Sequence, residues 1–170
     1  MGLFNLSIPY IIFLAFAGAV IEFLIDAVVA FIIHKLPEKW FNPFNKIYKV
    51  WNFERGLYEK IGIRKWKDKI PEMGQLCNFK KDKIADIGNN EYIFKFMVET
   101  CYAEVLHFLS AVLGFAVIFV FSPKFMLSFA LPVAIVNCFL QILPILIQRY
   151  TRPKLIKVYE RNSKVASIKG

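Results

Sequence analysis

Three long runs of apolar residues dominate the pattern of this chain. The first extends from about Ile8 to Ile33, the second loses its last charge at Glu104 and ends before Pro123, and the third follows the turn at Lys124. A bilayer core about 30 Å thick needs roughly 20 apolar residues in a helix. The pattern therefore predicts an all-α integral membrane protein with transmembrane helices at about 8–33, 93–121 and 125–148.

The segment between the first two runs, about residues 35–90, has a different pattern. Aromatic residues such as Trp40, Trp51 and Trp66 alternate with Lys and Arg. This pattern is too apolar for a disordered linker and is typical of short amphipathic helices in a lipid headgroup layer. We therefore expect one membrane domain, residues 1–170, with an interfacial segment at about 35–90 and a basic tail at 149–170.

Composition and charge narrow the function classes. Hydrophobic residues make up 57% of the 170 residues, and the formal net charge is +9, which together exclude an ordinary soluble enzyme. No nucleic-acid recognition module is visible, so we expect no nucleic-acid partner and assign the basic residues to an anionic membrane surface. Thirteen Lys and Arg residues lie between Lys35 and Lys83 and seven from Arg149 onward. The positive-inside rule then predicts an N-terminus outside and both basic segments in the cytoplasm.

Two further features of the sequence concern a signal peptide and the binding of metals. The first run is longer than a signal peptide's apolar region and has no charged residue before it, so we expect a retained helix. The three cysteines, Cys77, Cys101 and Cys138, form no CxxC pair, and His34 and His107 are the only histidines. We expect neither a disulfide framework nor a metal site.

Ionisable residues inside membrane spans cost roughly 2.5–3.5 kcal/mol each and are functional candidates. At a rise of 1.5 Å per residue, Asp26, His107 and Gln141 all lie about 8–10 Å inside the cytoplasmic boundary. His107 shares one broad face of its helix with Glu99 and Glu104, either of which can orient the imidazole as in acid–base dyads. Asp26, or Glu22 one turn away from it, is an alternative partner. In the structural alternative these groups and Asn137 only join helices by hydrogen bonds.

The order of several local patterns resembles a known family. These patterns are PEKWF from Pro37, WNFERG from Trp51, RKWKDKI from Arg64, GQL from Gly74, ETCYAEVLH from Glu99 and QRYTRPKL from Gln148. Together, over about residues 36–155, they resemble glycosyl-4,4'-diaponeurosporenoate acyltransferase, a bacterial enzyme of staphyloxanthin-type carotenoid synthesis. The resemblance implies transfer of a fatty acyl chain to a primary hydroxyl of a glucose on a membrane carotenoid. Another glycolipid or a polyprenyl-linked sugar is the alternative acceptor. The same resemblance implies a multi-pass protein of the bacterial cell membrane with its site in the cytoplasmic leaflet.

The resemblance also implies a set of polar site residues in this sequence. They are Asn52, Glu54, Arg64, Lys65, Lys67, Gln75, Glu99, Glu104, His107, Gln148, Arg149 and Arg152. Their roles follow from chemistry. We expect His107 to act as general base, oriented by Glu104 or Asp26. Candidate oxyanion donors are Asn137, Gln141 and Arg149 or backbone amides.

The donor and the route of transfer follow from the same reasoning. An acyl-CoA or acyl-carrier thioester supplies the acyl chain without a further cofactor, and basic residues hold its phosphates; these are Arg64, Lys65, Lys67, Arg149, Arg152 and Lys154. Ser110, one turn beyond His107, can hydrogen-bond its own helix, and Cys101 lacks an adjacent base, so direct transfer is favoured over an acyl-enzyme.

Two other classes of function fit the same residues. A small lipid-binding or transport subunit would use Glu22, Asp26 and Glu104 to bind protons or a cationic headgroup, and with three helices it would need an oligomer or a partner. A membrane methyltransferase would also join a cytoplasmic cofactor to a lipid substrate, and it would retain S-adenosylmethionine on purification.

Overall fold

The computed structural model describes residues 7–70, 86–121, 125 and 129–169. Every regular element within these residues is helical. The α-helices are α1 (Ile8–Ile33), α2 (Asn52–Lys60), α3 (Ile63–Trp66), α4 (Asn90–Leu113), α5 (Val117–Val120) and α6 (Leu131–Lys169). Short 3₁₀ turns cover Glu38–Phe41, Lys46–Tyr48, Lys67–Lys69 and Gly114–Ala116.

Three helical stretches within the described residues are long and apolar enough to cross a membrane, which confirms the expected all-helical class and its three candidate spans. They are Ile8–Ile33, Asn90–Val120 and Leu131–Ile168. The first has the predicted limits, and the second begins slightly earlier than predicted. The third continues through Pro144 and Pro153, so the basic tail belongs to the same helix. The direction of the spans across the bilayer stays a prediction.

The chain divides into two units, the first of which comprises Met1–Leu36 and Val105–Leu143. Its α1 exposes large apolar side chains, including Phe16 and Phe23, each more than 60% exposed. Polar Glu22, Ser110 and Asn137 are buried instead. Outward apolar and inward polar side chains are what a lipid environment favours, because lipid cannot satisfy hydrogen-bonding groups.

The second unit comprises Pro37–Glu104 and Pro144–Gly170. One apolar cluster joins Ile93 and Met97 of α4 to Leu155 of α6. A second joins Val50, Tyr58 and Ile63 to the half-buried residues Trp66, Leu146 and Tyr150. Residues 37–70, which are the described part of the predicted interfacial segment in this unit apart from a few residues before α4, thus pack on its long helices as a series of short helices. Its location in the headgroup layer stays a prediction.

Helix α2 buries a charged residue and exposes apolar ones, unlike an ordinary amphipathic helix. Glu54 and Tyr58, one turn apart, are buried, whereas Phe53 and Leu57 are exposed. The Glu54 carboxylate also caps the helix, accepting a hydrogen bond from the Trp51 backbone N–H at 3.1 Å. Gly62, with φ of 59°, then makes the left-handed turn into α3. The inward face of α2 therefore combines the apolar cluster around Tyr58 with the polar partners of Glu54.

Candidate functional site

His107 lies in a chain of hydrogen bonds within the first unit. Its Nδ1 is 2.6 Å from Oε1 of Gln141 on α6. The Gln141 amide nitrogen donates to Oδ2 of Asp26 on α1 at 2.8 Å. The three residues that the sequence placed at one depth therefore meet, and they form the order His107, Gln141, Asp26.

The order of these three hydrogen-bonded residues determines which ring nitrogen of His107 carries a proton. The carboxylate of Asp26 can only accept, so the NH₂ group of Gln141 must face it. The carbonyl oxygen of Gln141 then faces the imidazole, and Nδ1 must donate to it. A neutral imidazole with its proton on Nδ1 carries its basic lone pair on Nε2, which is the tautomer that a general base needs.

A second polar cluster lies on the same elements of the first unit. The Asn137 amide nitrogen donates to Oε2 of Glu22 at 3.0 Å and lies 3.5 Å from the Ser110 carbonyl oxygen. The Gln141 amide also approaches Asn137 Oδ1 at 3.3 Å, which joins the two clusters. A Cβ at Gly114 would lie 2.3 Å from the Asn137 amide nitrogen and 2.7 Å from Glu22 Oε2. A side chain at position 114 would therefore force the ends of Asn137 and Glu22 to shift, and glycine lets their hydrogen bond lie close to the backbone.

In the second unit Arg149 of α6 joins two carboxylates. Its Nε and Nη2 donate to the two oxygens of Glu54, each at 2.7 Å, in a bidentate pair. Its Nη1 donates to Glu104 Oε1 at 2.6 Å, and Nη2 also reaches the Lys49 carbonyl at 3.0 Å. Arg149 thereby connects α2, α4 and α6 through one guanidinium group.

Arg152 is completely buried one turn further along α6. Its Nε donates to Thr100 Oγ1 at 2.8 Å, and Nη2 to the Thr100 carbonyl at 2.8 Å. Nη1 reaches the Tyr48 carbonyl at 3.1 Å, and Nη2 pairs with Glu104 Oε2 at 2.6 Å. Each guanidinium nitrogen of both arginines thus has a protein acceptor. We call these four residues, Arg149, Arg152, Glu54 and Glu104, the ion cluster.

The electrostatics of Glu54 follow from this cluster. Burial alone would raise the pKa of the Glu54 carboxyl. Hydrogen bonds from Arg149, from the Tyr58 hydroxyl at 2.7 Å and from the Trp51 backbone outweigh burial and lower that pKa to about 2. Burial and the bond to Glu54 raise the pKa of Tyr58, and burial raises that of Tyr48 to about 12. Glu54 therefore remains ionised at every physiological pH.

The remaining candidates lie in several places. Asn52, Arg64 and Lys65 are exposed, Glu99 is half-buried, and Gln148 is buried. Lys67 pairs with the neighbouring Asp68. Gln75 lies outside the described residues. The roles predicted for all of these residues, including that of Glu104 in orienting His107, stay predictions.

The structure adds residues that the sequence analysis did not single out. Thr100 contacts Arg152 with both its hydroxyl and its carbonyl, and Tyr58 contacts Glu54. The spacing of Glu54 and Tyr58, one helical turn, was a visible signal for their pairing. Gly114 carried no such signal, since its partner Asn137 lies on another helix.

Comparison with known proteins finds one matching family profile and relatives that carry the same name. The profile of the glycosyl-4,4'-diaponeurosporenoate acyltransferase family matches residues 37–161. A protein of that name from Staphylococcus haemolyticus is 32% identical over 135 residues, which are 76% of this chain and 75% of the relative. One from Staphylococcus aureus strain RF122 is 30% identical over 132 residues, which are 73% and 74% of the two chains. No solved structure matches.

The three apolar helices with buried polar clusters define a multi-pass α-helical membrane protein. Within that class, the extent of the match is decisive: the chain belongs to the glycosyl-4,4'-diaponeurosporenoate acyltransferase family, as the resemblance indicated. It is thus an acyltransferase. The matched residues include His107, Gln141 and the ion cluster, whereas Asp26 and Glu22 precede them.

Proposed function

We propose that this protein transfers a fatty acyl chain from a thioester donor to a sugar hydroxyl of a membrane-embedded glycosylated carotenoid, with His107 as the general base. The relatives' names support the acyl transfer and the glycosylated carotenoid. The observation that supports the base is the chain from His107 through Gln141 to Asp26. Neither rival class of function receives such support, because the family names an acyl transfer.

In the proposed reaction Nε2 of His107 removes the proton from the sugar hydroxyl. The hydroxyl oxygen attacks the thioester carbonyl, a C–O bond forms, and the C–S bond breaks as the tetrahedral intermediate collapses. The imidazolium returns its proton to the leaving thiolate. Gln141 holds Nδ1 throughout, and the carboxylate of Asp26 stabilises the positive ring through the Gln141 amide. No cofactor beyond the donor takes part.

The proposed orientation places the N-terminus outside and the two basic segments, residues 35–90 and 149–170, at the cytoplasmic face of the cell membrane. The basis is the number of Lys and Arg residues in the segments that flank the three apolar helices. A cytoplasmic thioester donor would then meet the basic segments, whereas the carotenoid acceptor enters from the bilayer.

The direct test is product formation by the detergent-purified protein. The protein is incubated with a radiolabelled long-chain acyl thioester and glycosyl-4,4'-diaponeurosporenoate, and the lipid extract is analysed by mass spectrometry. The account predicts a product heavier than the acceptor by one acyl group, and no product from the aglycone, which lacks the sugar. Acylation of the aglycone, or no transfer at all, would contradict the proposed acceptor.

Intact-protein mass after incubation with the donor alone tests the route of transfer. Direct transfer predicts an unchanged protein mass, because the acyl chain moves only when the acceptor is present. A protein carrying one added acyl group would instead establish an acyl-enzyme.

A further inference from the structure

The second unit contains a cavity of about 320 Å³ between α2 and α6. Tyr58, Tyr150 and Pro153 form part of its wall. The two tyrosine rings meet edge to face, with centroids 5.9 Å apart. Such contacts make a rigid, largely apolar wall beside which charged side chains can be placed.

Three cationic side chains also line this cavity: Arg55 of α2 and Lys154 and Lys157 of α6. All three are exposed. The Lys154 ammonium is held 3.5 Å from the centre of the Tyr150 ring. Glu59 is the one acidic residue of the lining, so these exposed groups leave an excess of positive charge around the cavity.

Arg149 lines the cavity as well, but its charge is already neutralised. Its guanidinium group donates to Glu54 and Glu104, as described above. Arg152, the other arginine that the sequence offered for phosphate binding, is completely buried. Among the cations that line the cavity, those that can meet a soluble anion are therefore the exposed Arg55, Lys154 and Lys157.

We propose that this cavity binds the phosphate groups of coenzyme A, so that the acyl donor is an acyl-CoA. Several phosphates match several cations on facing helices, and the tyrosine and proline wall suits the less polar parts of the same molecule. An acyl carrier protein carries a single phosphate on its prosthetic arm and would need a broad protein surface instead of a concave cavity. The cavity lies at the small end of the 300–1,000 Å³ typical of ligand sites, which fits the phosphorylated end of the molecule.

The test measures binding of unacylated coenzyme A to the detergent-purified full-length protein by isothermal titration calorimetry. A double variant, Lys154→Gln with Lys157→Gln, removes two of the cations. Lys164→Gln is the matched control, since Lys164 is exposed on the same helix two turns beyond Lys157 and outside the cavity. About 1 kcal/mol for each lost ion pair converts to roughly fivefold weaker binding per lysine, or about 25-fold for the double variant. Thermal unfolding of each variant verifies that the fold is kept.

A selective loss of affinity in the double variant supports the proposal. Equal losses in the double variant and in Lys164→Gln would overturn it, since they would reflect overall charge alone. Binding of an acyl carrier protein with no binding of coenzyme A would also overturn it.

The inference rests on the proposed function, and its failure can be told apart from the failure of that function. His107→Ala should bind coenzyme A as tightly as the unmodified protein does, because His107 is not in the cavity lining. Coenzyme A binding that depends on the two lysines, in a protein that transfers no acyl chain, would keep the cavity assignment and reject the proposed function. Acyl transfer that depends on His107 but is unchanged in the double lysine variant would keep the proposed function and reject the cavity assignment.

Discussion

Replacing Glu54 by glutamine should destabilise the second unit strongly. The variant loses the bidentate pair with Arg149 and part of the bond from Tyr58, although Glu104 remains to neutralise the arginine. The pKa of Glu54 is lowered from 4.5 to about 2. At about 1.4 kcal/mol per pKa unit, this difference corresponds to roughly 3 kcal/mol of folding free energy.

The same shift predicts how stability depends on pH. A carboxyl whose pKa is lowered on folding stabilises the folded state above its unfolded pKa. That stabilisation is complete above about pH 5 and is lost as the pH falls from 4.5 towards 2. Glu54→Gln should lack this component, so the difference between the two proteins should shrink as the medium is acidified.

Tryptophan fluorescence during thermal unfolding measures this effect, because Trp40, Trp51 and Trp66 all lie in the second unit. The control is Glu59→Gln, a change of the same kind at an exposed position of α2. At pH 7 we expect Glu54→Gln to melt several degrees below the unmodified protein and Glu59→Gln to melt close to it. Equal melting of the two variants, or an acid dependence that Glu54→Gln retains in full, would refute the assignment of the stabilisation to this ion cluster.

Two further predictions concern the first unit. Gly114→Ala places a methyl group 2.3 Å from the Asn137 amide nitrogen, and overpacking of about 1–3 kcal/mol should outweigh the gain of about 1 kcal/mol in helix propensity; a melting temperature equal to or above that of the unmodified protein would contradict this. Gln141→Leu removes the acceptor for His107 Nδ1 and should lower kcat by about 10–100-fold with little change in the donor's KM. Gln141→Glu keeps an oxygen acceptor for Nδ1, and its other oxygen can share a proton with Asp26, so this variant should keep more of the activity. Equal kcat values for these two Gln141 variants would count against an orienting role.

The contacts between distant residues of the site were less predictable from the sequence than the helices that carry them. The three apolar runs predicted the helices, since a span of about 20 apolar residues has few alternatives. The continuation of α6 to Lys169 was missed because the apolar run ends before Arg149, and the residues beyond it were assigned to a separate basic tail. Depth counting brought Asp26, His107 and Gln141 to one level, and the structure joins them.

The partners of the buried charges were not predictable from spacing. Arg149 and Glu54 are 95 residues apart, so no helical periodicity links them. Positive residues after the last span also satisfy the positive-inside rule as simple anchors, which hides those that fold inward. Glu104 illustrates the same limit. The sequence analysis predicted that it orients His107 on their common helix, whereas both of its oxygens contact arginines of α6.

The central claim, that His107 is the general base, is tested most directly by kcat in the His107→Ala variant. The matched control is His34→Ala, which removes the other histidine; its Nδ1 lies 3.1 Å from the Ala30 carbonyl of its own helix. With saturating acyl donor and glycosylated carotenoid, and with both variants shown to fold, His107→Ala should lose at least 100-fold in kcat and His34→Ala should retain nearly all of it. Comparable kcat values in the two variants would contradict the account.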